Sequence, residues 1–352
     1  MQQAINLAIK SFGRVAPNPM VGCVIVYNGK VIGKGYHEKY GEAHAEINAL
    51  RSVKNKALLK DATLYVTLEP CAHHGKTPPC ADTIIKHGIK KVIIGCVDPN
   101  PLVKGKGIAK LMHSGCTIIT GVLEKECTEL NKRFFTFHRE KRPYIILKWA
   151  MTKDGYIDKI RTIDEKPLKI TGKKADKLSH KWRSEEQAIM VGTRTTLMDD
   201  PMLTNRLATG KLKDKSPIRI ILDRNLVLPR EANIFNKFAK VIVLNEKKNS
   251  QSGNTEFVKI KFKKNALDTI LDELYNRNIQ SLIVEGGASF LNSFITQGLW
   301  DEARVFISPQ KAGNGIKAPI IKGNLHRKIK IGSDTLYEYL HPANSKMSSV
   351  KS

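Results

Sequence analysis

No apolar run in the chain reaches the roughly 18 residues that a membrane-spanning helix needs, which excludes a helical membrane protein. Met1 to Lys10 lacks the basic-then-apolar order of a secretory leader, so a cytoplasmic location is expected. Cysteine stops early: Cys23, Cys71, Cys80, Cys96, Cys116 and Cys127 are the whole set. Without a secretory leader they do not read as a disulfide framework. Tryptophan is missing from the other end, since Trp149, Trp182 and Trp300 all follow residue 148. Acidic residues are scarce, 33 Asp+Glu against 59 Lys+Arg, for a formal charge of +26. No Gly-x-Gly-x-x-Gly follows a strand and opens a helix, so the Rossmann fingerprint is absent. There is no internal repeat.

What is present is ample for packed cores. The chain has 352 residues, 41% of them hydrophobic, which suggests two domains of ordinary size. The cysteine–tryptophan split places the junction at the polar stretch His138-Arg139-Glu140-Lys141-Arg142-Pro143. This predicts domains over 1–142 and 143–343, with a disordered tail over 344–352. The net charge is +11 over 1–142 and +15 over the remainder. Such an even spread is unlike the basic stripe of a nucleic-acid-binding protein. It reads as a lysine bias, and neither nucleic acid nor a membrane is expected as a partner. Anionic small substrates are the better fit.

Strand-like and helix-like segments alternate in both halves. In the first, the apolar run Val21–Tyr27 predicts a buried strand. A helix is expected over about Ala43–Ser52, then a strand Ala62–Leu68, a loop Glu69–Pro79 and a helix Cys80–His87. Strand Lys91–Val97, loop Asp98–Gly105, helix Ile108–Ser114, strand Cys116–Thr120 and one helix over Leu123–Thr136 follow. In the second half, strands are expected at Tyr144–Trp149, Ala188–Gly192, Ile218–Leu222, Lys240–Leu244, Ser281–Glu285, Glu302–Ile307 and Thr335–His341. Helices are expected at Lys173–Arg183, Ala266–Asn276 and Ser289–Gln297. The alternation implies α/β layers with largely parallel sheets.

The strongest chemistry is His44-Ala45-Glu46, then Pro70-Cys71 and, after eight residues, Cys80. One imidazole and two thiolates make a three-ligand zinc set whose fourth position stays open to water, as in catalytic sites. Glu46 beside that position can take a proton and deliver it to a leaving nitrogen. His44 and Glu46 are expected in the first turn of their helix. Cys80 is expected to open its own helix, where the positive end favours a thiolate. His73 and His74 are rival imidazole ligands or loop contacts to substrate. The order His-x-Glu, strand, Pro-Cys, Cys is that of the zinc nucleobase deaminases.

Here the sequence resembles one family closely. Pro17-Asn18-Pro19-Met20-Val21-Gly22-Cys23, Gly35-Tyr36-His37, Ala43-His44-Ala45-Glu46 and the run Glu69-Pro70-Cys71-Ala72-His73-His74-Gly75-Lys76-Thr77-Pro78-Pro79-Cys80 are similar to the bifunctional riboflavin-biosynthesis deaminase–reductases. Asp98-Pro99-Asn100-Pro101 and Gly105-Lys106-Gly107 also match. The eight-residue gap between the cysteines separates this family from nucleoside, tRNA and free-base deaminases, which usually have two residues there. The resemblance implies zinc on His44, Cys71 and Cys80, and a proton shuttle at Glu46. It places Asn18, His73, Lys76, Asp98 and Asn100 on a pyrimidine bearing a ribosyl phosphate.

In the second half, Val284-Glu285-Gly286-Gly287-Ala288 and Val191-Gly192-Thr193-Arg194-Thr195 each read as strand, glycine, helix. Such turns let a phosphate approach a helix N-terminus. Leu147-Lys148-Trp149-Ala150, Asp199-Asp200-Pro201-Met202-Leu203-Thr204-Asn205-Arg206 and Ile221-Leu222-Asp223 resemble the family's reductase domain. That domain is dihydrofolate-reductase-like and uses NADPH to reduce the ribosyl group to ribityl. The resemblance gives substrate roles to Lys148, Arg183, Leu203, Arg206 and Glu285, of which Lys148 and Glu285 are expected at the chemistry. It gives cofactor roles to Ala150, Ile170, Thr195, Asp199, Gly286 and Gly287. Arg224, just past a strand, is a candidate for the 2′-phosphate.

Two segments depart from the family. Pro167-Leu168-Lys169-Ile170-Thr171 stands where Ser-x-Trp-Ile-Thr is usual, and Thr152-Lys153-Asp154-Gly155 where Ser-Leu-Asp-Gly is common. Since Lys148, Glu285 and the Asp-Asp-Pro loop persist, an active reductase is expected; the resemblance implies an α/β chain in which a cytidine-deaminase-like three-layer α/β/α domain is followed by a dihydrofolate-reductase-like α/β domain. A homo-oligomer is expected. The competing readings are a nucleic-acid (tRNA) editing deaminase and a deaminase with a non-catalytic second domain.

Overall fold

The computed structural model describes residues 1–72, 78–262 and 266–345. The chain divides into two compact units, Met1–Lys141 and Arg142–Ser352.

The first unit is built on five strands: β1 (Gly22–Tyr27), β2 (Lys30–Tyr36), β3 (Thr63–Leu68), β4 (Lys91–Cys96) and β5 (Thr117–Ile119). They lie in the order β2-β1-β3-β4-β5. The ladders β3·β4 and β4·β5 are parallel, but β1 runs antiparallel to both β2 and β3. The sheet is therefore mixed, not largely parallel. The difference comes from Asn28-Gly29, both at positive φ, which close a tight hairpin of the kind Asn-Gly favours. Strand β2 escaped the sequence reading because Gly33 and Gly35 dilute its apolar pattern. Those glycines have a packing reason. A Cβ on Gly35 would lie 2.3 Å from the main-chain nitrogen of Ala49, so their absence lets the helix Ala45–Ser52 lie close against β2.

Helices cover both faces. Ala45, Ala49 and Leu50, with Ala81, Ile84 and Leu111, pack on Ile25, Leu64, Val66, Val92 and Ile94. On the other face Ile5, Cys127, Phe134 and Phe135 pack against Leu68 and Cys96. The helix expected over Leu123–Thr136 is two helices, Glu124–Leu130 and Lys132–Glu140. They break at Asn131, whose amide both accepts from Met20 N–H and donates to Met20 O at 2.8 Å. That pair of bonds fixes the segment leading from Asn18 into β1.

The second unit holds β6 (Tyr144–Met151), β7 (Tyr156–Asp158), β8 (Ala188–Gly192), β9 (Ile218–Leu222), β10 (Val241–Asn245), β11 (Ser250–Ser252), β12 (Thr255–Lys259), β13 (Ser281–Val284), β14 (Glu302–Ile307), β15 (Ile316–Lys317), β16 (Asn324–Ile331) and β17 (Asp334–Leu340). Ten form one sheet in the order β11-β12-β10-β9-β8-β13-β6-β14-β17-β16, and β15 pairs with β7 apart from it. The seven from β12 to β14 are parallel; β11, β17 and β16 are antiparallel edges. Side chains alternate between two cores, as strand geometry requires. Ala188 and Met190 face the helices Ala266–Asn276 and Ala288–Thr296. Ile189 and Val191 face the helix Lys173–Glu185 through Ala175 and Trp182. The expected tail begins with a short helix, Pro342–Ser345; residues 346–352 lie outside the described residues. No described helix is long and apolar enough to cross a membrane.

Candidate active sites

In the first unit, the helix Ala45–Ser52 begins one residue after His44, which sits in an extended conformation as its N-cap. Cys71 follows the end of β3, and Cys80 is the first residue of the helix Cys80–Lys86. These three ends converge. The Nδ1 of His44 is 3.3 Å from Cys80 Sγ and 3.7 Å from Cys71 Sγ. Among the described residues, this trio is the one group whose donor atoms could hold a metal ion, all lying within 4.8 Å of one another. The mixed imidazole and sulfur donors, half-buried to buried, fit a tetrahedral zinc with one position left for solvent.

The helix end serves the site differently from expectation. The N–H of Cys80 points at Cys71 Sγ, 3.3 Å away, so its positive end favours a thiolate on Cys71. Hydrogen bonding from Cys80, then from His44, holds the Cys71 thiol low against the cost of burial. The same contact and burial push Cys80 up.

Glu46, in the first turn of the helix as expected, is 3% exposed. Burial first, then the Cys71 sulfur, pushes its carboxyl up to about 7. A cavity of about 280 Å³ opens beside it, lined by Asn18, His37, Asp98, Asn100, Leu68 and Phe134 together with the ligand trio's His44 and Cys71. Asp98 is likewise raised to about 7, chiefly by burial, with Glu69 and Cys71 adding to it and the N–H of Asn100 opposing. His37, quoted above only as part of a motif, bridges the site: its Nδ1 meets Ala43 O and its Nε2 meets Asn18 Nδ2, both at 3.1 Å. With Nδ1 protonated, Nε2 accepts from the Asn18 amide and fixes which way that amide faces. His73 and Lys76 lie outside the described residues.

In the second unit the expected substrate residues come together. Lys148 on β6 and Glu285 at the end of neighbouring β13 approach to 3.9 Å. Arg183, from the helix Lys173–Glu185, reaches Glu285 at 3.1 Å and Thr204 O at 3.4 Å. Burial works to raise the Glu285 carboxyl, but Arg183 and Lys148 outweigh it and hold it low. Burial, then Arg183, lowers the Lys148 ammonium, with Glu285 opposing. Leu203 is buried at positive φ. Arg206 donates to Thr204 Oγ1 at 3.3 Å.

The cofactor candidates divide. Thr195, in the helix after β8, accepts the Gly287 N–H at 3.0 Å. This joins the two strand–glycine–helix turns at the ends of adjacent parallel strands. Gly286 stands at φ +142, where side chains are strained, and a Cβ there would meet Thr195 Oγ1 in a tight contact at 3.0 Å. The helix N-termini and missing side chains there suit the phosphates of a dinucleotide. Ala150 lies two residues beyond Lys148 on β6, and Ile170 is buried ahead of the helix Lys173–Glu185. Asp199 and Arg224 are engaged elsewhere, Asp199 by Arg161 and Arg224 by Glu246 at 2.7 Å. Lys169, in place of the usual tryptophan, pairs with Asp176 at 2.5 Å and accepts from Gln310 through its carbonyl.

The two units carry two family signatures. Residues 1–96 match the cytidine and deoxycytidylate deaminase zinc-binding region, and residues 143–337 match the RibD C-terminal domain. The class is thus a zinc-type deaminase unit followed by a reductase-type unit. The riboflavin biosynthesis protein RibD of Aquifex aeolicus is 44% identical over 90% of this chain and 88% of its own. That of Escherichia coli is 35% identical over 89% and 88%. A crystal structure from Thermotoga maritima, a diaminohydroxyphosphoribosylaminopyrimidine deaminase/5-amino-6-(5-phosphoribosylamino)uracil reductase, superposes with TM-score 0.85 at 38% identity over 97% of each chain. Acinetobacter baumannii RibD superposes with TM-score 0.86 at 33% identity, covering 96% of this chain and 97% of its own. The chain belongs to the RibD family of riboflavin-biosynthesis proteins.

Proposed function

We propose that this chain performs two successive steps of riboflavin biosynthesis. Residues 1–142 deaminate a diaminohydroxy-phosphoribosylaminopyrimidine hydrolytically, and residues 143–343 reduce the product's ribosyl group to ribityl with NADPH. The observation that carries the reading is the His44, Cys71, Cys80 triangle with a buried Glu46 at a cavity that Asp98 and Asn100 also line.

In deamination, water adds to the amino-bearing ring carbon and ammonia leaves, so a proton must travel from the water to the departing nitrogen. Zinc, when bound to the triangle, supplies the Lewis acidity that makes water nucleophilic at neutral pH. Glu46, raised to about 7, holds and releases that proton with little cost either way. Asn18, Asp98 and Asn100 read the ring's amino and carbonyl edges. The family pattern adds His73 at the ring and Lys76 at the phosphate.

In reduction, NADPH supplies the hydride. Lys148 presents a proton at Nζ to the sugar oxygen, Glu285 holds that ammonium, and Arg183 and Arg206 take the phosphate. Leu203 packs beneath the sugar. Thr195, Gly286 and Gly287 cradle the cofactor phosphates, with Ala150, Ile170 and Asp199 beside them. Arg224 takes the 2′-phosphate in place of Glu246. Six free thiols accord with a reducing cytoplasm, and the enzyme works there as a homo-oligomer.

Purified protein given the diaminopyrimidine should release ammonia and then, with NADPH, lose the nicotinamide absorbance. Salt-sensitive deamination of a tRNA without turnover of the small substrate would overturn the reading. Ammonia release with no NADPH consumption would leave the second unit non-catalytic.

A further inference from the structure

Glu69 stands two residues before Cys71 and is 4% exposed. Both of its carboxylate oxygens are used twice. Oε2 accepts from the N–H groups of Asp98 (3.2 Å) and Gly105 (3.0 Å). Oε1 accepts from those of Gly107 (3.0 Å) and Ile108 (3.3 Å). The donors flank the loop that joins β4 to the helix Lys106–His113, so a single side chain grips the loop where it begins and where it ends. Asp98 and Asn100, which line the cavity, sit inside that grip.

The Gly105-Lys106-Gly107 run, so like a phosphate loop in sequence, thereby acquires a different meaning. Gly105 caps the helix at φ +76. Gly107 is required because a Cβ there would fall 1.9 Å from Pro70 O. The helix start therefore abuts the segment that carries Cys71, and its N–H groups receive a carboxylate of the chain itself, an anion that such a terminus favours.

We propose that Glu69 is a positioning residue for deamination, clasping the loop so that Asp98 and Asn100 meet the pyrimidine in register with the metal ligands. The proposal rests on the deaminase reading of the cavity. The loop is anchored from outside the metal triangle, so loosening it should affect the fit of substrate more than the donor set. Glu69→Gln replaces one acceptor oxygen by a donor NH2, leaving two N–H groups facing a donor.

The test uses the full-length enzyme and measures zinc per chain, kcat and KM for deamination, and reduction of the deaminated substrate with NADPH. In Glu69→Gln, zinc content and reduction should stay at wild-type values while KM for deamination rises about 10–100-fold, the loss expected for a buried hydrogen-bonded carboxylate, with kcat changing far less. The double variant Glu69→Gln/Asn100→Ala should be no worse than the poorer single variant, because both act on one contact. Should Glu69→Gln fail to fold, Glu69→Asp, which keeps the charge and shortens the reach, should show the same KM-weighted loss in smaller degree. An unchanged KM, loss of zinc, or additive losses in the double variant would overturn the proposal while wild-type deamination stands. A wild-type enzyme without deaminase activity would remove the reading beneath it as well.

Discussion

His180 accepts the main-chain N–H of Arg206 at its Nδ1, 2.9 Å away. The bond demands a neutral ring with its proton on Nε2. Burial first, then the charges of Arg183 and Arg206, pushes the imidazole down to about 4, while Glu285 and Asp176 pull the other way. One uncharged histidine thus ties the loop 200–206 to the helix Lys173–Glu185 and lets two guanidinium groups share one site.

This histidine should make stability depend on pH. Its folded pKa lies below the ordinary 6.5, so between about 4 and 6.5 the unfolded chain binds more protons than the folded one. Its contribution is complete above pH 6.5 and is lost as pH falls toward 4. Thermal melts across that window should show a steeper acid decline in the wild type than in His180→Gln, whose amide oxygen can still accept from Arg206 without titrating. Parallel curves would refute the assignment.

Metal and turnover should separate in the first unit. His44→Ala removes one of three donors and should lose zinc and deamination together. Glu46→Gln removes no donor, so zinc content should be kept while deamination falls about 10²–10⁴-fold, the usual contribution of a positioned acid–base group. Metal assays paired with ammonia release decide it; zinc loss in Glu46→Gln would make Glu46 a ligand.

Much of this was legible in the sequence, for identifiable reasons. His44, Cys71 and Cys80 stand out because metal chemistry restricts residue type and spacing, and each lies at the start or end of an element that strand and helix patterns already mark. Lys148, Arg183 and Glu285 came from family likeness, and no spacing rule unites residues 148, 183 and 285; adjacent parallel strands bring Lys148 to Glu285, and the helix Lys173–Glu185 brings Arg183. The hidden residues act through main-chain groups. Glu69 and Asn131 bind N–H and C=O groups of segments 29 or more residues away, and such partners leave no pattern. His180 left a trace, three residues before Arg183 on one helix face, but its partner Arg206 lies in an irregular loop.

The Lys148–Glu285 pair should set the alkaline limb of the reductase. Glu285 raises the Lys148 pKa against burial and Arg183, so Glu285→Gln should move that limb to lower pH as well as slow turnover. Removing the carboxylate that faces both Lys148 and Arg183 should also lower stability, read as a lower midpoint in denaturant. A slower enzyme with an unmoved limb would mean that Lys148 does not carry the titrating proton.

Gly286 isolates the cofactor side from everything else. At φ +142 a side chain is strained whatever the space, and here the added carbon would also press on Thr195 Oγ1 at 3.0 Å, the atom that accepts the Gly287 N–H. Such backbone strain costs on the order of 1–3 kcal/mol, and the cheapest relief is for the turn to move away from Thr195. Gly286→Ala should therefore raise KM for NADPH about tenfold or more, by the same conversion of free energy to affinity, and leave deamination untouched. Cofactor titration by fluorescence, with no pyrimidine present, reads that loss directly. NADPH affinity at the wild-type value would place the dinucleotide away from the joined turns.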